Sequence, residues 1–138
     1  MKKILVLVLI TSLFACQNKS DKAPAESMKP KVSVYYLHQK KGCKTCKAIG
    51  PIAKATAEKN FQKEMKAGTL AYFDLDINQP VNDSIAKRLE CKWAGLYILS
   101  LVNGKEVIED ITDVAFMYAL DKPDSLAQII KSSIIKNL

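Results

Sequence analysis

Apolar and polar positions follow different periods along this chain, and the periods divide it into three stretches. Behind Lys2 and Lys3 comes an unbroken apolar run, Ile4 to Ile10, which is too short to remain a membrane-spanning helix. From Gln17 to Lys31 the residues are polar, mixed in charge and carry two prolines, with nothing periodic to bury, so a flexible tether is expected. Val32 to Leu37 is β-branched and aromatic without polar alternation, which predicts a central strand covered on both faces. After a polar stretch at 38–42, the residues Ile49, Ile52, Ala53, Ala57, Phe61 and Met65 recur at spacings of three and four. They predict one long amphipathic helix, kinked at Pro51 and stopped at Gly68.

Leu70 to Leu75 reads as a second strand, and Val81, Ile85 and Leu89 mark a short second helix. Leu96 to Val102 and Lys105 to Ile108 predict two antiparallel strands joined at Asn103-Gly104, a pair that tolerates the positive φ angles of a tight hairpin. A short helical piece is expected over 114–120. Pro123 then stands near the start of a last helix whose stripe is Leu126, Ile129, Ile130, Ile134 and Leu138. The expected class is α/β: a central mixed sheet of about four strands flanked by helices. About 105 to 110 residues from Val32 onward suffice for one core.

The apolar run ends in Leu13-Phe14-Ala15-Cys16, small residues before a cysteine, and this resembles the lipobox of bacterial lipoproteins. The resemblance implies cleavage before Cys16 and lipidation of its sulfur, giving a leader over 1–15, a lipidated cysteine and tether over 16–31, and a domain over 32–138. An ordinary secretory signal is the alternative, and both readings export the protein to the cell envelope. Acyl chains contribute about 0.8 kcal/mol per buried methylene, so such an anchor holds without a membrane-spanning helix. Lys2 and Lys3 account for two of the 21 basic side chains, so the chain without its leader keeps 19 against 14 acidic ones, a net charge of +5. That surplus suits an anionic membrane surface. No basic stretch is interleaved with aromatics, and nucleic acid is not an expected partner.

Cys43-Lys44-Thr45-Cys46 carries the candidate chemistry. Two cysteines three apart in a first helical turn share a face and approach the narrow separation a disulfide requires. Cys43, at the helix start, faces unpaired amide N–H groups that favour thiolate, so it is the expected nucleophile and Cys46 the resolving thiol. No acidic residue lies between Ser27 and Ala57, whereas Lys40, Lys41, Lys44 and Lys47 crowd the motif. Positive charge lowers a thiol pKa, although such a run is as readily a solvated face. Cys91 leaves an odd thiol in the mature chain, either a buried structural cysteine or a third redox thiol. His38, the only histidine, reads as a polar strand end, or as a proton shuttle near the thiolate.

The order of elements, with Cys-x-x-Cys between the first strand and first helix, resembles the thioredoxin fold along nearly all of 32–138. Lys47 directly after the second cysteine and Pro51 five residues after it also match thioredoxins. More narrowly, the domain resembles small exported thioredoxin-like proteins labelled nitrophenyl compound nitroreductase subunit. Nothing in it resembles a flavin site, and no cofactor is expected. The resemblance implies a membrane-tethered thiol-disulfide oxidoreductase acting through a Cys43–Cys46 disulfide on exported protein thiols or small disulfides, with an unidentified redox partner.

Two positions depart from that pattern. Leu96, after Gly95, stands where thioredoxins carry a cis-proline that seats substrate and discourages metal capture. The strand 32–37 also lacks the buried aspartate that thioredoxins keep under the disulfide, so proton transfer must use another group or water. Two further classes therefore stay open. One is a binding module that keeps the fold without the redox work. The other is a metal site built from Cys43, Cys46 and Cys91 or His38, which the lysines would oppose.

Overall fold

A computed structural model describes residues 29–138. The leader, Cys16 and most of the tether lie outside the described residues. The domain is a mixed α/β unit with a four-stranded sheet. In chain order its elements are β1 (Val32–His38), α1 (Lys44–Asn60), α2 (Gln62–Lys66), β2 (Leu70–Asp76), a 3₁₀ turn (Pro80–Asn82), α3 (Asp83–Arg88), β3 (Gly95–Val102), β4 (Lys105–Asp110), α4 (Thr112–Tyr118) and α5 (Pro123–Asn137). The sheet order is β2-β1-β3-β4, with β1 parallel to β2 and antiparallel to β3, and β3 antiparallel to β4.

The period of two in β1 explains why it is interior. Val32, Val34 and Tyr36 face the larger core, where Ile49, Ala53 and Ala57 of α1, Leu96 and Ile98 of β3, and Leu126, Ile130 and Ile134 of α5 meet them. Tyr35 and Leu37 point the other way, into a smaller cluster with Tyr97 and Leu99 of β3 and with Ala86 and Leu89 at α3. The β3–β4 hairpin turns at Asn103 (φ 52°) and Gly104 (φ 74°), the left-handed conformation expected of that dipeptide.

Two sequence expectations are corrected. The single helix expected up to Gly68 is broken at Phe61, whose φ of −132° leaves the helical region, and the chain restarts as the short α2. Phe61 is buried in the larger core, so packing prevails over a periodicity that continues through the break. Pro51 stays inside α1. The last strand runs to Asp110, two residues beyond Ile108, and α4 correspondingly starts at Thr112 rather than Val114.

Candidate functional site

Cys43 is the N-cap of α1, in extended conformation (φ −66°, ψ 169°), and its Sγ accepts a hydrogen bond from the Cys46 N–H at 3.1 Å. A sulfur in that position satisfies one of the four amide groups every helix leaves unpaired at its start, and it does so better as a thiolate. Cys46 follows one turn later, with the two Cα atoms 5.0 Å apart and the sulfurs at bonding distance. The two sulfurs have opposite surroundings: Cys43 is exposed, and Cys46 keeps 8% exposure.

Both cysteines border an open groove of about 470 Å³, the only one of the site's two cavities that Cys43 lines, walled by Gln39, Lys41, Trp93, Ala94, Asp113 and Phe116. Trp93, 73% exposed, and Phe116 set aromatic surface in the groove that Cys43 lines. On the Cys46 side lies a smaller pocket of about 210 Å³, bordered by Tyr36, His38, Lys40, Lys47, Pro51 and Asp74. The pair therefore lies between a larger open groove and a smaller pocket.

The smaller pocket is a product of strand register. Parallel pairing sets Tyr36 opposite Asp74 and His38 opposite Asp76. Val34, Tyr36 and His38 share the face of β1 that α1 covers. The Tyr36 hydroxyl donates to the Cys46 carbonyl from within the core, and the Tyr72 hydroxyl donates to the Gly50 carbonyl at 3.1 Å. Pro51 lacks an N–H and removes the donor that the Lys47 carbonyl would otherwise receive, so the two tyrosines hold α1 on either side of a weakened helical ladder. The Tyr36 phenol is pushed up from 10.0 to about 12, mainly by burial and then by the Asp74 charge. His38 Nε2 lies 2.8 Å from Asp74 Oδ1, and its ring stacks on Tyr36 with centroids 5.1 Å apart.

The other expected site residues divide. Lys47 and Pro51 border the Cys46 pocket, whereas Lys44 is exposed and lines neither cavity. Leu96 is fully buried in the larger core behind a trans peptide bond. Its N–H donates to Thr112 Oγ1 at 3.1 Å, a bond a proline could not make, and its carbonyl accepts from the Ile111 N–H at 3.0 Å. The groove wall at this point is instead Trp93 and Ala94. Cys91 lies half-buried beside the smaller cluster and lines a different cavity, with Ile77, Asp83 and Lys87. Burial pushes its thiol up from the ordinary value. Among the described residues, no group of three or more His, Cys, Asp or Glu side chains is placed to hold a metal ion, and no helix is long and apolar enough to cross a membrane.

Sequence reasoning missed Tyr36, Tyr72 and Asp74, together with the groove wall formed by Thr112, Asp113 and Phe116. The stretch free of acids between Ser27 and Ala57 is broken in space, because β2 brings Asp74 to one side of the cysteines and α4 brings Asp113 to the other. Asp74, the one acid within the apolar run 70–75, was the available signal. No protein-family model matches the chain, and no curated protein matches its sequence.

Proposed function

We propose that the chain is a thiol-disulfide oxidoreductase of the thioredoxin-like class, exported and tethered to a membrane through Cys16, with the domain facing the periplasm or the exterior. The observation that carries this reading is the asymmetric pair: an exposed Cys43 sulfur capping a helix, at bonding distance from a shielded Cys46. Reversible exchange requires such an arrangement, with one thiolate open to a partner and a second thiol close behind to release it. In the reducing direction, Cys43 thiolate attacks a substrate disulfide, forming a mixed disulfide and expelling one substrate thiolate. Cys46 thiolate then attacks Cys43, closing the Cys43–Cys46 bond and expelling the second. Two electrons pass from the pair to the substrate, and the oxidising direction is the reverse. The groove beside Trp93 and Phe116 offers an extended polypeptide a surface next to the sulfur.

Trapping with glutathione disulfide tests the reading. The Cys46→Ser chain is expected to accumulate a glutathione adduct mapped by mass spectrometry to Cys43, and the Cys43→Ser chain to form none at Cys46. Adducts at Cys91 alone would refute it. The tether is tested separately: labelled fatty acid is expected to enter the chain in bacteria and to be lost in Cys16→Ser.

The exposed Trp93 also favours a second reading, a binding module in which the cysteines only brace the helix start. It predicts partner retention after both cysteines are replaced by serine.

A further inference from the structure

The geometry points to His38 and Asp74 as the proton relay of the buried thiol, with His38 the base that accepts the Cys46 proton and Asp74 the residue that positions and charges it. This rests on the oxidoreductase reading above and supplies the acid-base group that the strand 32–37 lacks at the position of a buried carboxylate. Cys46 must ionise before the second displacement, and its burial limits the access of bulk water that could take the proton.

His38 and Cys46 border the same pocket of about 210 Å³, and His38 keeps 26% side-chain exposure, so water can stand between imidazole and thiol. The ring is held at two points, by the stacked Tyr36 ring and by the Asp74 carboxylate. Tyr36 in turn binds the Cys46 carbonyl, so one side chain fixes base and thiol relative to each other. A carboxylate only accepts, so Nε2 carries the hydrogen toward Asp74 and Nδ1 retains the free lone pair. The charged groups facing the imidazole are Asp74 on β2, Asp76 at its end, Lys40 and Lys47. Tyr36 stays neutral below it up to about pH 12.

The steps balance without a further reagent. Once Cys43 is bonded to a substrate sulfur, the Cys46 S–H proton moves through water to Nδ1, leaving a Cys46 thiolate and an imidazolium paired with Asp74. The thiolate attacks Cys43, the Cys43–substrate bond breaks, and the departing sulfur takes its electron pair. The imidazolium returns its proton to that sulfur or to solvent. His38 thus acts on the second displacement only.

The test uses the reduced full chain carrying Cys16→Ser and Cys91→Ser, mixed rapidly with 5,5′-dithiobis(2-nitrobenzoate). Each displacement releases one coloured thiolate, so the two steps are read in sequence. In the parent, the second release is expected to follow the first promptly at neutral pH. His38→Gln should slow that release about 100-fold at neutral pH, with the first release unchanged. Asp74→Asn should slow it less, because the ring keeps its lone pair but loses the carboxylate contact that orients it. Added imidazole should restore the second release in His38→Ala, which no purely structural role would allow. If the second release is unaltered in His38→Gln and Asp74→Asn, or if both releases slow equally and imidazole restores neither, the relay is wrong. If the parent shows no first release, the oxidoreductase reading falls and the relay with it.

Discussion

The two cysteines occupy one helical turn, yet their flanks are built from different materials. The Cys43 flank is a groove of loop and helix ends, with Lys41, Trp93, Ala94, Asp113 and Phe116 converging from three distant stretches. The Cys46 flank is a wall of β-sheet, with Tyr36, His38 and Asp74 fixed by strand pairing and held by the Tyr36 hydrogen bond, the His38–Asp74 contact and a ring stack. Loops suit a surface that must accommodate partners, and rigid strands suit a group whose distance to a thiol must hold. The same contrast separates the two sulfurs by exposure, which suits the proposed roles of one as the attacking group and the other as the releasing group.

The contrast can be broken most forcefully from the sheet side. A Cβ at Gly50 would lie 2.5 Å from Tyr36 Cε1 and 2.7 Å from Cδ1, inside van der Waals contact with a ring anchored at its hydroxyl. Alanine gains about 1 kcal/mol of helix propensity over glycine, but overpacking of 1–3 kcal/mol and the lost carbonyl bond outweigh it. Gly50→Ala should lower stability by about 2 kcal/mol in urea unfolding and slow the second displacement. Tyr36→Phe removes the donor to Cys46 and should cost about 1 kcal/mol at neutral pH.

The same variant sharpens the pH dependence. An unfolded tyrosine ionises from its ordinary 10.0, whereas folded Tyr36 holds its proton to about 12. The folded state therefore binds more protons in that window, and stability falls as pH rises from about 10 toward 12. Denaturation midpoints measured across the window should fall less steeply in Tyr36→Phe, with some slope remaining from Tyr72 and Tyr97, whose phenols are also raised by burial.

On the groove side the effect is on exchange rather than stability. Trp93→Ala should change stability by no more than about 0.5 kcal/mol, because the side chain is exposed. It should slow attack on a peptide disulfide several-fold in stopped-flow assays while leaving attack on a small aromatic disulfide nearly unchanged. The smallest effect is expected at Cys91. It packs beside the smaller cluster away from both cavities, so Cys91→Ser should leave the redox potential of the pair unmoved, as read by thiol–disulfide equilibration.

The strand-helix order, the hairpin at Asn103-Gly104 and the placement of Cys43 at a helix start were legible because each is local: a period of two or of 3.6, a turn dipeptide, a cysteine spacing. The break at Phe61 was not, because the pull that ends α1 comes from core residues distant in sequence. The Cys46 pocket was hidden for a related reason. Tyr36 and Asp74 are 38 positions apart and meet only through parallel pairing, whose register no short window contains. The groove wall behind Leu96 depends on α4 packing against the start of β3, and there the local analogy pointed to Leu96 whereas Trp93 and Ala94 form the surface.

The most direct test of the central claim is the equilibrium between the Cys43/Cys46 pair and glutathione or dithiothreitol buffers in the full chain, with free thiols counted by alkylation and mass mapping. The account predicts a reversible two-electron couple confined to Cys43 and Cys46, with a potential between about −270 mV, which would mark a reductant, and about −120 mV, which would mark an oxidant. A pair that never closes under oxidising buffer, or that stays closed under strong reductant, would contradict it.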